Sequence, residues 1–399
     1  MITILAMAIP NAEPLPLPAP AWLLWALLLL TFFLHLLAMN AVLGGSIISA
    51  TALARRSSDH HRRLASSIGK ALPTLVAAAV TFGVAPLLFL QALYGRLLFT
   101  SSILMGWFWF AVIPILILAY YGTYLIAFYP ERFRRVLPYL GGAVAVLFLT
   151  IAFLYVNNMS LAIRPAVFLS MFIENARGTQ LNVGDPTFLP RYLHMVLGAI
   201  AVAGLAVASY GFVARRSDEA YGTWVMRHGA LWFVAATAVN MVVGFWWLLV
   251  LPQQVMMRLI GQGAALGAGL APALWMGVGI ILGLAALALG LLVMTGRRLN
   301  LAIRGAWIAL GGSMVAMILV RDEVRRATLE PSGFALTSWT EPQWGVIAIF
   351  GVLLVAAFAT VIWMGMVLLR PQGAPEGGVV AGVSPAPGGA VRADSSGSE

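Results

Sequence analysis

Long runs of apolar residues dominate this sequence and constrain its fold more than any other feature. A helix needs about 20 mostly apolar residues to cross the hydrocarbon layer of a bilayer. Nine runs are long enough, and prolines mark the ends of several of them. We therefore predict an all-α polytopic membrane protein with nine transmembrane helices, at residues 22–50, 73–99, 104–128, 136–157, 190–213, 229–251, 271–295, 301–320 and 345–369.

The composition supports this prediction and excludes several other classes of protein. Apolar residues make up 61% of the 399 residues and charged residues 10%, whereas soluble domains carry about 25% charged residues. The sequence contains no cysteine. This excludes disulfide scaffolds, thiolate zinc sites, iron–sulfur clusters and covalently attached c-type haem.

The distribution of basic residues predicts the orientation in the membrane. Of the 24 Lys and Arg residues, 15 lie in the C-terminal tail or in the segments after the first, third, fifth and seventh runs, and a sixteenth, Arg304, lies at the start of the eighth run on the same side. Because positive loops stay in the cytoplasm, this asymmetry predicts an external N-terminus and a cytoplasmic C-terminus. The formal charge of +10 then belongs to cytoplasmic loops, and we expect no nucleic-acid partner. We expect a multi-pass protein of the bacterial inner (cytoplasmic) membrane, in contact with the lipid bilayer.

The runs and the segments between them divide the chain into five parts. A Pro-rich external arm (1–21) precedes a first helix bundle that contains the first four spans (22–157). An external loop (158–189) leads to a second helix bundle (190–369). The remaining segment (370–399) is rich in Gly, Ala, Pro and Ser, which predicts a disordered cytoplasmic tail.

Two histidines lie well inside predicted spans, His35 in the first and His194 in the fifth. Ionisable side chains are costly in the hydrocarbon layer, so those that occur there are candidates for function. The predicted spans hold no central Asp, Glu, Lys or Arg, which argues against a proton pump or a cation transporter. A neutral imidazole in an apolar bundle suits haem iron or a single hydrogen bond. Each histidine is therefore either a haem ligand or a hydrogen-bonded packing residue.

Met276 is the residue that the spacing pairs with His194. Each follows a proline by four residues, near the predicted external end of its span. At a rise of about 1.5 Å per residue, the two side chains are expected at similar depth. Gly198 shares a helix face with the histidine, and Gly279 and Gly283 share one with the methionine. Such small residues leave room for a flat porphyrin with His/Met ligation, but they also serve plain helix packing.

The segments around these residues resemble subunit I of the cytochrome bd quinol oxidases, and the similarity extends over residues 22–369. The segment 82–95 (FGVAPLLFLQALYG) is similar to the family's TG…EFQFG segment. The segment 242–255 (VVGFWWLLVLPQQV) is similar to the one that leads into the family's quinol loop. The resemblance implies nine helices arranged in four-helix bundles, with the N-terminus outside.

The resemblance also implies roles for the candidate residues. His194 looks like the histidine of the family's low-spin haem b, and Met276 resembles the methionine that completes its ligation. His35 looks like the histidine that binds a haem on the oxygen-reducing side. The implied metal at all three residues is haem iron. The implied cofactor is haem b, one or two per chain, and the implied substrate is quinol.

Several positions depart from the family's pattern. Gln91 stands at the position of the family's glutamate, and an amide cannot act as a carboxylate ligand or proton relay. Ile318 stands where a second glutamate falls, if Arg321 is the arginine of the family's GRQPW segment. Gln254 and Leu259 stand where the family's quinol loop has Lys and Glu. Reduction of oxygen to water needs protons at a buried site, so these departures argue against that activity.

The leading hypothesis is a haem b electron-transfer protein that oxidises quinol. It would pass electrons to a second haem at His35 or to an external c-type cytochrome. The predicted external loops 158–189 and 321–344 would form the docking surface, through Arg164, Glu174, Arg177, Asp185, Arg321, Asp322, Glu323, Arg325 and Arg326. One alternative is a bd-type terminal oxygen reductase with a second membrane subunit. Another is a haem-free membrane scaffold or transporter subunit.

Overall fold

The computed structural model describes residues 16–55, 58–262, 270–337 and 339–369. In these ranges the regular secondary structure is helical, apart from one isolated bridge between Leu17 and Thr340. This confirms the predicted all-α fold class. The α-helices are α1 (Ala21–Ala54), α2 (Asp59–Leu104), α3 (Gly106–Phe128), α4 (Leu137–Leu161), α5 (Phe168–Glu174), α6 (Phe188–Ala214), α7 (Glu219–Leu249), α8 (Gln253–Leu259), α9 (Leu270–Thr295), α10 (Leu299–Leu329) and α11 (Trp344–Leu369).

Among the described residues, eight helices are long and apolar enough to cross a membrane, namely α1, α2, α3, α4, α6, α7, α9 and α10. They correspond to the first eight predicted spans, so the chain is a multi-pass membrane protein. The ninth predicted span, 345–369, coincides with α11, which belongs to a second compact unit that begins at Gln343. The count of nine and the orientation of the termini stay predictions. Most of the predicted arm, up to residue 15, and the whole predicted tail lie outside the described residues.

Several helices extend beyond the apolar runs that predicted them. α2 has 46 residues, because the polar segment from Asp59 is helical too, and Tyr94 (φ −128°, ψ 24°) marks a kink near its end. α10 has 31 residues and continues through a charged segment to Leu329. α7 begins after Asp218, whose side chain accepts a hydrogen bond of 3.0 Å from the backbone N–H of Tyr221. This bond satisfies one of the free donors at the helix start.

Glycines allow neighbouring helices to touch through their backbones. A Cβ at Gly211 of α6 would collide with the backbone nitrogen of Met226 in α7. A Cβ at Gly44 of α1 would collide in the same way with the carbonyl oxygen of Ala199 in α6. Small residues favour such close approach in membranes, where packing contacts replace the hydrophobic effect as the force between helices. α1, α6 and α7 therefore form the closely packed centre that positions the site.

The contacts between α1 and α6 also show that these two helices run parallel. Gly44 meets Ala199 and Ala203. One turn later, Ile48 packs in one cluster with Ala203 and Val207. The residue numbers rise together along both helices, so heights on one can be transferred to the other. We call the end of the bundle at which α1 and α6 begin the upper end.

The segment between α4 and α6 is folded rather than an open loop. It contains a 3₁₀ turn at Pro165–Val167, helix α5 and a network of buried polar side chains. The side-chain amide of Asn182 donates to the hydroxyl of Ser160 at 3.0 Å. The carboxylate of Asp185 accepts from the backbone N–H of Thr187, also at 3.0 Å. These bonds satisfy polar groups that the segment buries, and they fix it at the upper end.

Candidate functional site

His35 lies in α1, and its ring leans against α2. Its Nδ1 is 2.9 Å from the backbone carbonyl oxygen of Ala79. Because a carbonyl can only accept, Nδ1 carries the proton and donates this hydrogen bond. The ring comes so close because residue 83 is glycine, and a Cβ there would lie 2.9 Å from both Nδ1 and Cε1. In the neutral imidazole Nε2 is then unprotonated, and its lone pair is available to a metal or a hydrogen-bond donor.

His194 lies in α6 and leans against α7 in a similar way. Its Nδ1 is buried and makes no hydrogen bond within the described residues, and the backbone carbonyl of Asn240 lies beside the ring. Gly244 makes room for the ring, since a Cβ there would lie 3.3 Å from Cε1 and 3.4 Å from Nδ1. A buried ring nitrogen beside a carbonyl is best satisfied when it carries the proton. Nε2 is again the nitrogen left for a ligand.

The two histidines lie at nearly the same height in the bundle. Gly44 of α1 is level with the α6 residues between Ala199 and Ala203. Counting back from this contact places His35 about two residues, or roughly 3 Å, from the height of His194. Both histidines are half-buried.

Met276 lies in α9, nearer the upper end than the spacing predicts. It packs on the same hydrophobic cluster as Trp247 and Leu248 of α7. His194 instead contacts Gly244, one turn lower on α7. The two side chains therefore face one stretch of α7 but differ in height by about 6 Å at a rise of about 1.5 Å per residue.

Met317 of α10 is a second sulfur-bearing side chain, and the sequence analysis missed it. It occupies the space that a Cβ at Gly279 of α9 would fill. Gly283 lies one turn lower on α9. A Cβ at this position would be 3.8 Å from the methyl group of Met241 in α7. Met317 therefore lies about one turn above Met241. This places Met317 close to the height of His194.

The structure places the other positions singled out by the sequence on α2, α8 and α10. Gln91 is on α2, about 12 Å nearer the upper end than the turn that contacts His35. Ile318 is buried within α10. Gln254 and Leu259 lie in α8, where the leucine is buried in a hydrophobic cluster. The structure therefore does not bring Gln91 beside His35.

Two arginines lie one turn above the histidines and place positive charge in the bundle. The guanidinium of Arg321 is 4.6 Å from the ring centroid of Phe32, which precedes one histidine by three residues. Arg191 precedes the other histidine by three residues, and its guanidinium is 5.8 Å from the ring centroid of Trp247. Both contacts have the geometry of cation–π interactions.

Asp322 links the charged end of α10 to α1. Its carboxylate accepts hydrogen bonds from the indole N–H of Trp25 at 2.7 Å and from Arg325 at 3.1 Å. Arg326 forms a third contact with it at 2.9 Å. The carboxylate residue is 3% exposed and Arg325 is 9% exposed. A buried charge is tolerated only when it is paired, so this network holds the end of α10 in place.

The burial of these charges corrects the predicted docking surface. The sequence places Asp185, Asp322 and Arg325 in external loops, but the structure buries all three. The first lies in the folded segment before α6, and the other two lie on α10, which continues past its apolar run. Glu323 pairs with Arg258 of α8 at 2.6 Å, so it too is engaged within the fold.

The sequence analysis also missed the two glycines beside the histidines. A signal for them is present in the chain. Gly83 follows His35 by 48 residues, and Gly244 follows His194 by 50 residues. The similar spacing reflects two helix pairs built alike, α1 with α2 and α6 with α7.

Comparison with solved structures agrees with this architecture. The chain is similar to the bd oxidase from Geobacillus thermodenitrificans, with a TM-score of 0.62 and 14% sequence identity. The match covers 89% of this chain and 100% of that one. The chain has a bd-oxidase-like fold. No protein-family model matches the sequence, and no curated protein matches it. At this identity the similarity confirms the fold expected from the sequence resemblance, and the fold alone.

Proposed function

We propose that this chain is a haem b membrane protein that oxidises quinol and passes the electrons on. The observation that carries the proposal is the pair of interior histidines, each with its ring beside a backbone carbonyl: Nδ1 of His35 is 2.9 Å from that of Ala79, and the His194 ring lies beside that of Asn240. Histidines that bind metals commonly donate their other ring N–H to a carbonyl, which fixes the tautomer. The bd-oxidase-like fold supports the same proposal.

The residues present fit a haem at each histidine. His35 and His194 would each hold the iron through Nε2. A sulfur ligand for the same haem as His194 would come from Met276, which the spacing and the resemblance favour, or from Met317, which its height favours. Haem b, when bound, supplies a one-electron redox couple.

The chain's own side chains determine the environment of these sites. Apolar residues of α1, α2 and α6, including Val42, Ala79 and Val196, form a buried hydrophobic cluster on the helices that carry the histidines. Arg191 and Arg321 place positive charge one turn above, which stabilises negative charge in a water-poor interior. An added electron is therefore favoured there.

We further propose that the upper end faces outward, as the distribution of basic residues indicates. Quinol would be oxidised near this end. The acceptor would be a second haem at His35 or an external c-type cytochrome, and a second membrane subunit is a further proposed partner. The assignment to the bacterial inner membrane, the division at residues 22–157 and 190–369 and the ninth span belong to the same proposal.

Optical spectra of the purified full-length protein test this function. Spectra are recorded of the oxidised and the dithionite-reduced protein, and again after addition of CO. The pyridine haemochromogen assay counts the haems per chain. Two b-type haems per chain support both histidine sites, and CO binding by one of them favours the alternative of terminal oxygen reduction. One low-spin haem that does not bind CO supports the site at His194 alone. No haem in protein expressed with ample haem refutes the proposal and leaves a scaffold or transporter subunit.

Single substitutions identify the ligands. His194→Ala should abolish the low-spin signal, whereas His228→Ala should not, because that histidine lies nearer the other end of α7 and accepts a hydrogen bond from Trp232 at 3.1 Å. Met276→Leu and Met317→Leu are compared directly. The substitution that lowers the midpoint potential or produces a high-spin haem identifies the sulfur ligand. If neither does so, His/Met ligation is wrong.

A further inference from the structure

Gly83 and Gly244 occupy equivalent positions relative to the two histidines. Each lies four residues after the residue whose carbonyl the imidazole faces, Ala79 on α2 and Asn240 on α7. In an α-helix a side chain lies over the turn that precedes its own Cα, so the side chain of residue i+4 covers the approach to the carbonyl of residue i. Glycine leaves that approach open.

An imidazole fills the open space at both positions. A Cβ at residue 83 would lie 2.9 Å from Nδ1 and Cε1 of His35, and a Cβ at residue 244 would lie 3.3 Å from Cε1 of His194. Not every helix glycine is used in this way. The Cβ position of Gly142 in α4, for example, has no atom within 4 Å.

We propose that Gly83 and Gly244 are positioning residues that hold each imidazole with its Nδ1 proton on a carbonyl and its Nε2 toward the bound ligand. A glycine that makes room for an imidazole, four residues after a carbonyl beside the ring, occurs twice, at nearly one height, on two helix pairs. The consequence for haem binding rests on the proposed function. The consequence for the imidazole proton does not, because it depends only on contacts within the chain.

Histidine ¹⁵N NMR on the full chain in lipid nanodiscs, prepared without added haem, tests the position of the proton. The five histidines are assigned with single His→Gln variants. We expect a proton on Nδ1 and none on Nε2 at both His35 and His194. Gly83→Ala should shift the resonances of His35, and Gly244→Ala should shift those of His194 by less, because 3.3 Å is a milder contact than 2.9 Å. Gly142→Ala should move neither.

Haem titration of the same variants tests the consequence for the ligand. Loss of a group that orients a metal ligand typically weakens metal binding by about 10–100-fold. Gly83→Ala is expected to weaken haem binding by roughly this factor at His35 alone, and Gly244→Ala at His194 alone. Each substitution should also change the midpoint potential of its own site and leave that of the other unchanged.

The proposal is overturned if either wild-type histidine carries its proton on Nε2. It is also overturned if Gly83→Ala leaves both the resonances of His35 and the haem affinity unchanged. If the tautomers respond as expected but no haem binds, the positioning role is correct and the proposed function is wrong. If Gly83→Ala does not fold, the test uses Gly244→Ala instead. Unchanged resonances of His194 in that variant then refute the proposal.

Discussion

Replacing Asp322 by Asn removes one charge from the most deeply buried ion pair described in the structure. The amide still accepts the hydrogen bond from Trp25, which is 2.7 Å long in the native protein. Arg325, however, is only 9% exposed and loses its counter-charge. Breaking a buried pair by removing one partner costs about 3–5 kcal/mol, because the other charge stays buried and unpaired. At about 1.4 kcal/mol per factor of ten, the unfolding equilibrium constant should rise at least about 100-fold.

Reversible unfolding in mixed micelles, followed by tryptophan fluorescence and circular dichroism, measures this change. The double variant Asp322→Asn/Arg325→Met should regain most of the loss, because it removes both buried charges. Asp59→Asn is the control, since that residue pairs with Arg62 at the surface, where the two side chains are 62% and 59% exposed. It should not change stability measurably. If Asp322→Asn unfolds like the wild type, or if the double variant is no more stable than the single one, the argument is wrong.

Three further substitutions test other parts of the fold. Gly44→Ala forces a Cβ against the backbone of α6, so it should separate α1 from α6 and lower the melting temperature of the purified protein. Arg258→Met removes two ion pairs that hold α8, one to Glu323 of α10 and one to Glu330 just after α10, so hydrogen exchange in α8 should become faster. The backbone N–H of Tyr221 and then Arg63 lower the pKa of Asp218 below its usual value. Its contribution to stability is therefore present at neutral pH and lost as pH falls through the folded pKa, and Asp218→Asn should flatten this acid decline in urea titrations.

Hydropathy was sufficient to predict the helices that cross the membrane, but not where they end. A window of apolar residues stops at the first cluster of charges, so the sequence analysis ends the eighth span at Val320. The structure continues α10 to Leu329, because Asp322 and Arg325 find partners on other helices. Such pairing depends on which helices are neighbours, and a single sequence does not contain that information.

The candidate site shows the same division. His35 and His194 could be singled out from sequence, because an ionisable residue in an apolar run is costly and therefore conspicuous. Their partners could not be identified from sequence, because Ala79 and Asn240 face the rings with backbone carbonyls, which every residue has. The height of Met276 was wrong by about 6 Å, since equal distance from a proline gives equal depth only when both helices begin at the same level.

The similar height of the two histidines makes a last prediction about electron transfer. His35 and His194 differ by about 3 Å along the helix axis, against a hydrocarbon layer of about 30 Å. If each histidine holds a haem, as proposed above, an electron that moves between the two sites crosses about one tenth of the membrane potential, or roughly 0.2 kcal/mol for each 100 mV applied. In proteoliposomes that bear a potential of about 100 mV, the difference between the two haem midpoint potentials should change by no more than about 10 mV. A change on the order of 50 mV would place the two sites at different depths, and the register derived from Gly44 would then be wrong.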